Sequence, residues 1–191
     1  FRGGEGKVPD QPFSALDSSV PQDLWNYMDE VRARGMDVLA IPHNSNLSDG
    51  RMFPVDRDER GEPLDAGYAE SRMRNEPLVE MSQIKGSSET HPALSPNDEW
   101  AGFEIVGEVI GTGAVGKVPG SYVRRAYLDG LEMQANRGFN PYRFGMIGST
   151  DSHNANVPSD ENNYTGKTGI SDDTPEKRRT AETGGLRGRT Y

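Results

Sequence analysis

Three short apolar runs, each preceded by a segment with helical spacing, constrain the fold of this chain more than any other feature. They are residues 37–42, 77–81 and 143–149. An apolar run too short for a helix, placed after one, reads as a buried strand of a parallel sheet. Ser19 suits the cap of the first helix, Pro21 its first turn and Asp23 its positive end. Leu24, Trp25, Met28 and Val31 then share one face, and Gly35 marks the stop. A second helix is expected over 65–75, with Tyr68, Ala69 and Met73 facing inward. A third starts at Ser95 and leads into Trp100, Phe103 and Ile105. The longest pattern covers 121–137, striped by Val123, Tyr127, Leu131 and Gln134 and ended by Gly138. The order is helix, strand, helix, strand, helix, helix, strand. That alternation predicts α/β architecture with a parallel sheet, open or closed into a barrel. Long loops fill 47–66 and 82–94, a glycine-bearing turn fills 107–119, and 154–191 read as polar loop.

Composition narrows the function classes. The net charge of −9 argues against gripping nucleic acid, which needs a basic footprint. A small anionic substrate stays possible, because local arginines can oppose the global sign. The absence of cysteine removes disulfide frameworks, thiolate metal sites and cysteine nucleophiles together. No run of about 18 apolar residues is present, so no membrane insertion is expected. Phe1-Arg2-Gly3-Gly4 reads like the middle of a reading frame. The chain is therefore expected to be one domain, 1–191, incomplete at both ends.

The candidate chemistry sits at strand ends. His43 follows the first apolar run, and Asp151 and His153 follow the last. His91, the third of only three histidines, lies in the loop after the strand that holds Glu80. Active sites of parallel α/β folds lie at the carboxyl ends of the strands. Imidazole nitrogen and carboxylate oxygen suit zinc, manganese or iron. Residues two apart on an extended segment point the same way, so Asp151 and His153 can share a site. Glu89 and Glu80 are further acidic candidates. Arg51, Arg72, Arg74 and Lys85 are candidates to hold an anionic oxygen. Asn44, Ser45 and Asn46 are candidates to line the pocket. No nucleophile elbow surrounds Ser45, and the glycines of 107–119 match neither a P-loop nor a dinucleotide fingerprint.

The strands and their tails, Ala40-Ile41-Pro42-His43, Val79-Glu80-Met81 with His91 downstream, and Gly148-Ser149-Thr150-Asp151-Ser152-His153, resemble the later motifs of the PHP (polymerase and histidinol phosphatase) superfamily. The stretches IPHNSNLSDGRMF, RMRNEPLVEMSQIKGSSETHPALSPNDEWAGFE and FGMIGSTDSHN look most like a bacterial PHP-like family catalogued as a domain of unknown function. The resemblance implies part of a distorted TIM-like barrel, with parallel strands, long loops and two or three divalent metal ions. It implies that His43, His91, Asp151 and His153 are metal ligands, with Asn44 standing where the family's middle motif has proline. The superfamily's opening His-x-His motif has no counterpart here and is expected upstream of Phe1.

The resulting expectation is a metal-dependent hydrolase of a phosphoester or related anionic ester, acting through metal-bound hydroxide. Asp151, His153 and Glu89 are the expected catalytic residues. Arg51, Lys85, Arg72 and Asn44 are the expected substrate contacts. The main alternative is a non-catalytic or degenerate metal-binding module. A third reading is a carbohydrate- or small-molecule-binding domain that uses the loop polar groups alone. Oligomeric state is left open, and the compartment stays open between periplasm and cytoplasm.

Overall fold

Strand β1 (Leu78–Gln83) organises the computed structural model, which describes residues 3–109 and 112–153. The expected polar tail, 154–191, lies outside the described residues. β1 pairs antiparallel with the short β2 (Gly86–Ser87) and parallel with β3 (Gly145–Gly148), in the order β2-β1-β3. Two of the three expected strands are thus parallel neighbours, joined by a crossover that contains a helix. The sheet is small, open and mixed, whereas parallel strands alone were expected.

The first expected strand is not a regular one. Residues 37–42 pass the end of α2, where Ala40 N–H donates to Asn75 O, and meet β1 where Glu80 N–H donates to Pro42 O. Pro42 has no N–H to return, so an unbroken ladder cannot form there. The segment nevertheless delivers His43 and Asn44 to the edge of β1.

Helix α1 (Pro21–Ala33) buries Trp25, Met28 and Val31 as their spacing predicts. Its cap position is Val20, not Ser19. Ser18 organises the turn instead, accepting from Val20 N–H and donating to Asp23 Oδ2 at 2.7 Å. Helix α2 (Ala66–Asn75) is capped by Asp65, which accepts from Tyr68 N–H at 2.7 Å. Helix α3 (Val123–Arg137) buries Val123, Ala126, Gly130 and Met133. The expected stripe through Leu131 and Gln134 is wrong, and Leu131 is 62% exposed. Steps of four drift about 40° per step on a helix of 3.6 residues per turn. Alternating steps of three and four stay on one face. No helix forms from Ser95. Asp98, Ala101 and Phe103 N–H groups bond three residues back, giving consecutive turns. Pro96, Asn97, Asp98 and Gly102 favour that outcome.

The core joins Val79 of β1 to Val123, Ala126 and Met133 of α3, with Phe53, Leu64, Tyr142 and Phe144 around them. Arg72 is buried beside this core at 2% exposure. Its guanidinium lies 5.5 Å from the Phe53 ring centre and 5.0 Å from that of Tyr142. Its Nε lies 3.1 Å from Glu76 Oε2, and the other Glu76 oxygen accepts from Trp25 Nε1 at 2.8 Å. Burial works against the charged Arg72, but Glu76 and the phenols of Tyr68 and Tyr142 more than offset it, so its pKa is raised.

Two loops also cross backbone to backbone. Phe53 N–H donates to Gly120 O at 2.9 Å and Gly50 N–H to Ser121 Oγ at 2.8 Å. Gly50 and Gly120 both have φ of +79°, and a Cβ on either would collide with the opposite backbone.

Glu76→Ala removes the Trp25 acceptor and leaves Arg72 buried without its counter-charge. The variant is expected to lose about 3–5 kcal/mol in urea unfolding. A loss below about 1 kcal/mol would show that this pair does not tie α1 to α2.

Candidate functional site

A chain of polar contacts runs along the edge of β1. Asn44 sits in the left-handed region at φ 55°, just before a buried 3₁₀ turn (Ser45–Leu47). Asparagine tolerates that conformation because its short amide bonds locally. Asn44 Oδ1 accepts from Gln83 Nε2, and Gln83 Oε1 accepts from Lys85 N–H at 2.5 Å. Asn46 clamps the β1–β2 turn from behind. Its Nδ2 donates to Lys85 O at 3.0 Å, and its Oδ1 accepts from Ser88 Oγ at 2.9 Å. Lys85 then reaches across to β3, where its ammonium pairs with Asp151 Oδ2.

Asp151, three residues beyond β3, is also left-handed at φ 54°. Its Oδ1 lies 3.3 Å from His153 Nε2, so the pair is in contact, although through a left-handed residue and not along the extended segment that was expected. Left-handed non-glycine residues are uncommon and concentrate at functional sites. Here two of them flank the same cluster.

Glu80 lies inside β1 and is 7% exposed. Burial is the main cause that raises its carboxyl above the usual range. His43, Lys85, the Asn44 N–H and the Gln83 side chain oppose the shift. Glu80 Oε2 is buried and has no hydrogen-bond partner among the described residues. His43 is exposed and close enough for Glu80 to feel its charge.

The structure therefore brings together His43, Asn44, Glu80, Lys85, Asp151 and His153. It gives the other expected site residues different surroundings. His91 Nδ1 accepts from Ala93 N–H at 3.1 Å, and its ring packs 5.5 Å from that of Tyr122. Glu89 pairs with Arg124 of α3, which also binds Asp98 at 2.6 Å. Arg51 pairs with Glu59 at 2.7 Å on an exposed loop. Arg72 is the core residue described above, closed off from any solute. Arg74 pairs with Asp29 at 2.5 Å and anchors α2 to α1.

As a cation site the cluster is incomplete. The orphaned Glu80 oxygen and the Asp151–His153 pair offer suitable oxygen and nitrogen donors. Among the described residues, however, no three histidine or acidic side chains are gathered as a ready cation-binding group. The Lys85 ammonium occupies one Asp151 oxygen.

Gln83 escaped the sequence reading, and Glu80 entered it only as a secondary candidate. A register irregularity between Glu80 and Ser82 breaks the strand's alternation, and Gln83 reaches both Glu80 and Asn44. A periodicity count does not reveal such a bulge. The signal for Glu80 was a carboxylate within an apolar run.

The chain belongs to the family described as protein of unknown function (DUF3604), which matches residues 2–189. No curated protein and no solved structure matches it. No helix among the described residues is long and apolar enough to cross a membrane.

Glu80 gives this site a pH signature. A carboxyl with a raised folded pKa destabilises the fold once ionised. The penalty is absent in acid and grows as pH rises through the folded value. In chelator-treated protein, Glu80→Gln is expected to unfold at higher urea than the parent at pH 7. The advantage should vanish near the ordinary carboxylate range. An unchanged difference across that interval would remove Glu80 as the titrating group.

Proposed function

We propose that this chain carries part of the site of a metal-dependent hydrolase acting on a phosphoester or related anionic ester. The observation that supports it is the convergence of Glu80, Lys85, Asp151 and His153 from adjacent parallel strands, with one Glu80 oxygen buried and unpartnered. The resemblance of the same segments to the later motifs of the PHP superfamily points the same way. In this reading Asp151 and His153 would supply donors to a divalent ion, and His43, His91 and Glu80 would have to close on them when it binds. An ion held there would acidify a water for use as the nucleophile.

The chain's own residues do the rest. Gln83 and Asn44 hold the turn after β1, and that turn aims Lys85 at Asp151. The Lys85 ammonium offers a positive charge to an ester oxygen near the acidic ligands. Asp151 orients the His153 ring. Glu89 lies outside this arrangement and belongs to the Arg124 ion pairs.

A second reading, a degenerate metal-binding module, draws support from the Lys85–Asp151 pair. A lysine that neutralises a ligand can stand in for a lost cation.

Elemental analysis of purified protein separates the readings. His153→Ala and Asp151→Asn are each expected to lower bound metal, with affinity reduced about 10–100-fold or more, and to abolish phosphoester hydrolysis. Metal content unchanged in both variants would defeat the assignment of the site. Metal lost from the variants of a parent without hydrolytic activity would favour the degenerate module.

A further inference from the structure

A second cleft lies beside the β2 loop, and none of the proposed metal ligands lines it. Residues 87–103 and the first turn of α3 enclose a cleft of about 500 Å³. Ser87, Glu89, Asp98, Trp100, Phe103 and Arg124 line it. Small-molecule sites occupy roughly 300–1,000 Å³.

Trp100 is 71% exposed and Phe103 64% exposed. Single exposed apolar residues are ordinary, but two large aromatics on one cleft form a patch with a use. Neither ring is loosely held at its backbone. Trp100 N–H donates to Asp98 Oδ1 at 3.0 Å, Phe103 N–H to Trp100 O at 2.9 Å, and Ser87 N–H to Glu104 O at 3.0 Å. The polar groups are equally fixed. Arg124 Nη1 donates to Asp98 Oδ2 at 2.6 Å and Nη2 to Glu89 Oε1. The α3 backbone is anchored to the same loop, with Val123 N–H on Ser88 O and Arg124 N–H on Glu89 O, both at 2.9 Å.

We propose that this cleft binds a neutral saccharide, with a sugar ring stacked on Trp100 and its hydroxyls bonded to the Glu89–Arg124–Asp98 group. The chemistry selects that class. A sugar presents an apolar C–H face, which suits an exposed indole, and a ring of hydroxyls that both donate and accept. Two carboxylates facing one guanidinium supply acceptors and donors already held in place, which lowers the entropy lost on binding. The arginine has five N–H donors, of which the described contacts use two. Two carboxylates against one cation repel an anionic ligand, so a phosphate or uronate is disfavoured. The guanidinium neutralises most of the carboxylate charge, so little is left to hold a ligand cation.

Tryptophan emission reads this site directly. Trp100 is exposed, while Trp25 is 1% exposed and bonded to Glu76, so it serves as an internal constant. The full chain is titrated with maltotetraose, cellotetraose and xylotetraose. At least one is expected to shift Trp100 emission with a saturable dissociation constant of about 1 mM or tighter. By calorimetry, Trp100→Ala and Phe103→Ala each weaken that binding about tenfold. Both variants keep the parent's circular dichroism, because the replaced rings lie outside the core. Three results would overturn the proposal: no emission change with any of the three, equal binding by both variants, or displacement of the sugar by choline or inorganic phosphate. None of them bears on the metal site, which is read by elemental analysis.

Discussion

The buried Arg72–Glu76 pair is the interaction on which the rest of the structure depends. One guanidinium at 2% exposure touches the ring of Phe53 from the loop before α2 and the ring of Tyr142 from the lead-in to β3. Its carboxylate partner holds the indole of α1. Four separate segments thus share one charge pair. A buried charge tolerates little misplacement, because its partner cannot be replaced by water. The pair therefore sets the distance between α1 and α2 more strictly than apolar contact alone. β1 leaves α2 only two residues beyond Glu76, so its starting point is set as well.

The strand-edge cluster inherits that placement. Glu80 is on β1, Asn44 is on the segment hydrogen-bonded to β1, and Asp151 extends from the strand paired with β1. No element beyond the sheet is needed to bring them together. Lys85 and Gln83 complete the link through turns that immediately follow the strand. The site is held by backbone geometry first and by side-chain pairing second. This arrangement suits a position where a carboxylate must stay poorly solvated.

The legible parts of the sequence were those where apolar spacing decided the outcome. Trp25, Met28 and Val31 marked the buried face of α1, and the runs around Val79 and Ile147 marked adjacent parallel strands. Asp151 and His153 do meet, but through a left-handed backbone at Asp151 that an extended reading did not foresee. The illegible parts were those where a single chemical detail outweighed the pattern. Pro42 denied 37–42 a regular ladder. Pro96 and Gly102 turned an expected helix into successive turns and left Trp100 and Phe103 outside the core. Arg72 was expected to hold an anionic oxygen, because nothing in its local sequence announces a carboxylate four residues on as a buried partner. The geometry sets His43 beside Glu80, joins Asp151 and His153 to that edge through Lys85, and leaves His91 with partners of its own.

The Gly50–Gly120 crossing has a consequence for how this family can vary. Residues 112–117 beside it are largely exposed, and insertions there lengthen a surface loop without moving the sheet. The crossing allows no such freedom. A side chain at either glycine pushes the two loops apart, and the second glycine cannot compensate for the loss of the first. Sequence drift in this region should therefore be uneven: free in length over the exposed loop, and locked in identity at two residues that lie 70 positions apart.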